Sequence, residues 1–75
     1  MKKHYLIGYN DENGKGFRRN LPYLVDIGDD IETLKETIQL LEGFNCKDIT
    51  PFYVEEDEYE EDIPWTYIKK HKIEI

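Results

Sequence analysis

Residues 55–62 read EEDEYEED, seven carboxylates and one tyrosine in eight positions. Carboxylates at that density can trade protons, hold a cation or imitate a row of phosphates. Proton transfer needs a carboxyl whose pKa is raised inside a pocket, and a hydrated charged run supplies no pocket. Cation binding has a second candidate in DENGKG, where Asp11, Asn13 and Gly16 match the first, third and sixth positions of an EF-hand loop. The match then fails: Lys15, Arg19 and Pro22 fall on the fifth, ninth and twelfth positions, and the twelfth requires a bidentate glutamate. A hairpin turn accounts better for those residues.

Nucleophilic chemistry has little to work with. The chain has no serine, which leaves Cys46, beside Lys47, as the one strong nucleophile. No spacing places His4 or His71 next to it as a base. Cys46 is therefore expected to be a small buried residue and the histidines surface residues near the termini. One cysteine and two histidines make neither an internal disulfide nor a four-ligand zinc set of Cys and His, and GKGF lacks the spacing of a phosphate-binding loop. The expectation is a non-enzymatic protein with no catalytic, cofactor-binding or metal-binding residues.

Three accounts of the acidic run remain. It is a solvated loop that keeps the chain soluble and guards the neighbouring strand, or it pairs in part with the basic ends, in contacts that contribute only ~0 to 1 kcal/mol each. The third is imitation of nucleic acid. Extended at ~3.3 Å per residue, the run would place its seven charges over about 26 Å, one per roughly 3.8 Å, close to the ~3.4 Å phosphate spacing of one DNA strand. Asp29, Asp30, Glu32, Glu36 and Glu42 would add a second row if they shared that face, and Tyr53, Tyr59 and Trp65 would be amphipathic anchors. In small size, acidity and interleaved aromatics the chain resembles phage-encoded DNA-mimic inhibitors of restriction, repair or CRISPR nucleases. That resemblance is one of composition, with no motif matched, and it implies a basic nucleic-acid-binding protein as partner.

Charge is segregated along the chain. Residues 1–20 carry five basic and two acidic groups (+3), residues 21–62 two and fourteen (−12), and residues 63–75 three and one (+2), giving the net −7. Direct nucleic-acid binding would use Lys2, Lys3, Lys15, Arg18 and Arg19 with Tyr5, Tyr9 and Phe17 as a basic aromatic face. The overall charge opposes it.

The elements that must position these residues are legible in part. Seventy-five residues make a single domain, 1–75, with 55–62 an acidic loop inside it. IGDDIETLKETIQLLEGFN predicts a helix over 30–42, with Asp29 as N-cap, Glu32 completing a capping box, and Gly43 as the left-handed residue that ends it. Ile31, Leu34, Ile38 and Leu41 form its apolar stripe. Ahead of it, aromatic and β-branched residues flank Asn13-Gly14, a pair suited to a type I′ hairpin turn, and Pro22 either interrupts the returning strand or holds it at an edge. DITPFYVEE predicts a third strand whose Phe52 and Val54 meet the helix. DIPWTYIKKHKIEI suggests a helical turn at 64–70 and then extended chain.

The fold expected is α/β in the α+β sense: a small two-layer sandwich in the order β-β-α-β, with a short C-terminal helical turn or strand. The opening MKKHYLIGYN reads as a first strand rather than a leader, no stretch approaches the ~20 apolar residues of a membrane span, and the expected location is cytoplasmic. Its biased composition hints at a bacterial or phage source. The function expected is binding of another protein, with Glu55, Glu56, Asp57, Glu58, Tyr59, Glu60, Glu61 and Asp62 as the contact, together with Tyr53 and Trp65.

Overall fold

Leu6 and Ile7 are consecutive in a strand and both wholly buried. Neighbouring side chains in a strand point to opposite faces, so this sheet has to be covered on both sides. The computed structural model describes residues 3–60, 62–64 and 67–74. Strand β1 (Lys3–Asn10) lies between β2 (Tyr23–Gly28) and β3 (Lys47–Glu55), helix α1 (Ile31–Gly43) connects β2 to β3, and β4 (His71–Lys72) lines the far side of β3. All pairings are antiparallel, in the order β2-β1-β3-β4. The chain is thus an α+β fold with the expected β-β-α-β order, and among the described residues no helix is long and apolar enough to cross a membrane.

Each face has its own cover. Leu34 and Leu41 of α1 pack with Ile7, joined by Tyr5, Tyr9, Ile27, Ile31, Ile38, Ile49 and Ile73. On the other face Leu6, Val54 and Ile68 cluster with Phe52 and Tyr59. Phe52 and Val54 therefore do not meet the helix, contrary to expectation. The register Leu6↔Phe52 and His4↔Val54 sets them on the Leu6 face, while Ile7↔Pro51 directs the alternate set to α1. Because β3 is apolar at both parities, its sequence does not reveal which set faces the helix.

Pro51 occupies an inner strand, where a missing amide would ordinarily break the ladder. It is tolerated because its backbone faces β4, not β1: its carbonyl accepts from Ile73 N at 3.0 Å. The proline has no N–H to return, so pairing with β4 is confined to Phe52↔Lys72 and Tyr53↔His71.

The helix cap is shifted by one residue from its expected place. Asp30, not Asp29, is the N-cap: its carboxylate accepts from Glu32 N at 3.0 Å and from Thr33 Oγ1 at 3.1 Å. Thr33 decides between the adjacent aspartates, since only Asp30 has a hydroxyl donor three residues on. At the other end Gly43 stays helical, and Asn45 takes the left-handed conformation with φ 61°. Asn45 N donates to Glu42 O at 3.0 Å and Cys46 N to Leu41 O at 3.1 Å, the paired bonds of a Schellman motif. Cys46 packs on the Leu41 cluster, the apolar contact that accompanies this motif.

The hairpin forms, but without a two-residue loop. Asp11 Oδ1 accepts from Asn13 N and Lys15 N, both at 2.9 Å, and Gly14 N donates to Asp11 O at 2.9 Å. A side chain that satisfies two amides favours this wider turn over the type I′ alternative. A second turn follows at Arg18–Leu21 with Asn20 at φ 68°, and β2 starts after Pro22 as a sheet edge. Gly16 makes the fold-back sterically feasible, because a Cβ there would lie 2.1 Å from Leu21 O.

The cap assignment has a direct consequence. Asp30→Ala should cost about 1 kcal/mol in urea unfolding, whereas Asp29→Ala should be near neutral. Equal losses would contradict the assignment.

Candidate protein-binding surface

The acidic run does not project as an extended row. Glu55 ends β3, Glu56–Glu58 form a 3-10 turn, and Tyr59 N closes on Glu56 O at 3.3 Å. A 3-10 turn rises only ~2 Å per residue, so the charges bunch instead of matching phosphate spacing. Two further tight bonds, Ile63 N to Glu60 O (3.2 Å) and Tyr67 N to Pro64 O (2.9 Å), keep the chain turning. Ile68 is then buried on the Leu6 face before the chain extends into β4.

Two histidines clasp this segment. The His4 ring stacks on Tyr59 with centroids 5.0 Å apart and 9° between planes, and its Nε2 contacts Asp26 Oδ1. His71 stacks on Tyr53 at 4.9 Å, and its Nε2 donates to Glu58 Oε1 at 3.0 Å. Both histidines are half-buried, rather than free at the surface as expected. Each sits between a tyrosine ring and a carboxylate, and together they hold the adjacent residues Glu58 and Tyr59. The His71 hydrogen bond holds Glu58 below its ordinary carboxyl value of 4.5; burial works against it, while the charges of His71 and Lys69 add to it.

The expected contact residues are consequently dispersed. Glu56, Asp57, Glu60 and Asp62 are exposed, Glu55 and Glu58 half-buried, and Tyr59 packs into the second core cluster. Tyr53 lies on the helix face, with Lys3 Nζ 4.5 Å from its ring. Glu61 and Trp65, like Lys2 of the basic set, fall outside the described residues. The basic aromatic face is not assembled either. Tyr5 and Tyr9 pack under α1, while Lys3 opens β1 and the Lys15–Arg19 loop follows its other end, with the ~23 Å length of the strand between them. Among the described residues no group of three or more His, Cys, Asp or Glu is gathered to hold a metal.

A different surface does converge. At the β2 edge, on the Leu6 face, Phe17, Leu21, Pro22 and Leu24 line one side of an open groove of about 810 Å³; Phe52 is also in its lining, and Pro64 and Tyr67 complete it. Gly8 makes room for this floor: a Cβ there would press to 3.1 Å from the Phe52 ring and 3.5 Å from Leu24. Phe17 is 64% and Tyr67 81% exposed. Arg18 and Lys70 supply positive charge to the lining, Arg18 with its guanidinium 5.4 Å from the Phe17 ring. Lys70 Nζ donates to Ile68 O at 3.2 Å, and burial draws its ammonium below the ordinary 10.5. The sequence signal for this surface lies in FRRNLPYL and TYIKK, where exposed aromatics stand close to cations, but the two stretches are far apart in sequence and nothing local links them.

Comparison with known protein families, with curated proteins and with solved structures finds no match for this chain.

The depressed Glu58 pKa sets a pH dependence. A carboxyl lowered by folding contributes stability above its unfolded value and loses it as pH falls through the folded value. The native chain should therefore lose stability on acidification below about 4.5. Glu58→Gln should flatten that part of the profile of melting temperature against pH, and an unchanged profile would contradict the clasp.

Proposed function

We propose that this chain is a small protein-binding module that acts by docking rather than catalysis, with the groove at the β2 edge as its principal contact surface. The observation that carries this reading is the convergence of apolar side chains from two distant parts of the chain, residues 17–24 on one side and Pro64 and Tyr67 on the other, on one concavity. Such surface is costly to leave in water unless something covers it. Its chemistry suits a partner segment with apolar side chains flanked by carboxylates, because Arg18 and Lys70 lie at the lining while the rest of the molecule is acidic. Aromatic and arginine side chains in a recess are the groups that most often dominate such contacts.

The competing account, imitation of nucleic acid for a basic nucleic-acid-binding partner, draws on the exposed carboxylates of Glu56, Asp57, Glu60 and Asp62. The two are separable by affinity capture from a bacterial lysate with three forms of the chain. Groove docking predicts that Phe17→Asp combined with Tyr67→Asp abolishes capture of the specific partner. Glu56→Gln, Asp57→Asn, Glu60→Gln and Asp62→Asn together should leave that capture intact. The reverse pattern, with capture lost at high salt and competed by DNA, would replace docking by imitation.

A further inference from the structure

The hydrogen-bonding direction of every strand follows from the Pro51 carbonyl. In a strand the N–H and C=O of one residue point to the same side, and successive residues alternate. Pro51 faces β4, so Phe52 faces β1; Leu6, opposite Phe52, faces β3; and Ile7 faces β2. Val25 and Tyr23, opposite Ile7 and Tyr9, then face β1, which leaves the backbone groups of Leu24 and Asp26 pointing outward from the β2 edge. The open stretch is bounded on both sides. Pro22 has no amide, and Gly28 N is taken by Asp26 Oδ1 at 3.1 Å.

We infer that a second copy of this chain pairs here, β2 antiparallel to β2 about a two-fold axis at Val25, making one continuous eight-stranded sheet. This goes beyond docking of a foreign partner and does not depend on it. In this register Leu24 of each copy exchanges both backbone hydrogen bonds with Asp26 of the other, and Val25 faces Val25 as a close β-branched pair.

Charge order along the edge selects a second copy as occupant. Lys15, Arg18 and Arg19 precede β2, and Asp29 and Asp30 follow it, all exposed. Antiparallel self-pairing brings the basic start of each strand to the acidic end of the other, twice by symmetry. A parallel arrangement would set like against like.

Sedimentation equilibrium on the native chain tests this, and the expected mass is twice 9.0 kDa. A single 9.0 kDa species at all concentrations would overturn the inference. Leu24→Pro removes an outward amide that no intramolecular bond uses, so it should give a folded monomer by circular dichroism; a dimer persisting in it would place the interface elsewhere and also overturn the inference. Because that change also alters the groove, a charge swap supplies an independent reading. Arg19→Glu and Asp29→Lys should each weaken self-association by about tenfold, and an equimolar mixture should recover native affinity as a heterodimer. Failure of the mixture to recover would show that the two ends do not meet and would overturn the inference. Groove docking is judged by capture with the Tyr67 and Phe17 variants, so neither result decides the other.

Discussion

The constraint on which this structure depends is that one helix must serve a sheet with two apolar faces. Leu6 and Ile7 commit β1 to burial on both sides, and α1 can cover only one. Cover for the second face comes from the segment after β3, whose first residues are acidic. It is held by Tyr59 on His4, Glu58 on His71, and Ile68 under Leu6 and Val54. Full burial of an aliphatic side chain contributes about 1.5–3 kcal/mol, so Ile68 and Tyr59 outweigh the exposed ion pairs around them.

Seen this way, the acidic run is a cover whose outer surface is charged. Its inward residues belong to the core, and its outward ones, Glu56, Asp57, Glu60 and Asp62, keep that layer hydrated. Among the described residues the cover is incomplete: at the β2 edge Phe17, Leu21, Leu24 and Tyr67 stand around an open groove. The proposed docking surface and the proposed self-pairing edge both arise from that shortfall.

Local physics made much of the fold legible. The apolar stripe Ile31, Leu34, Ile38 and Leu41 marked α1, and Pro22 was compatible with the edge position that β2 takes. Choices between near-equal local options were not legible. Two adjacent aspartates could each cap the helix, and Thr33 decided for Asp30. Gly43 and Asn45 could each take a positive φ, and the Schellman bonds decided for Asn45. The parity of β3 was set by pairing with β1, which is long-range information absent from any window of sequence. The candidate surface was harder still, because it is built from residues some forty positions apart that only the sheet brings together.

The most direct test of the central claim is the backbone order parameter of residues 56–60, measured by 15N relaxation. A segment that covers the second sheet face should be as rigid as β3, with order parameters near ~0.85. Values below ~0.6 would describe a free acidic loop and contradict the account.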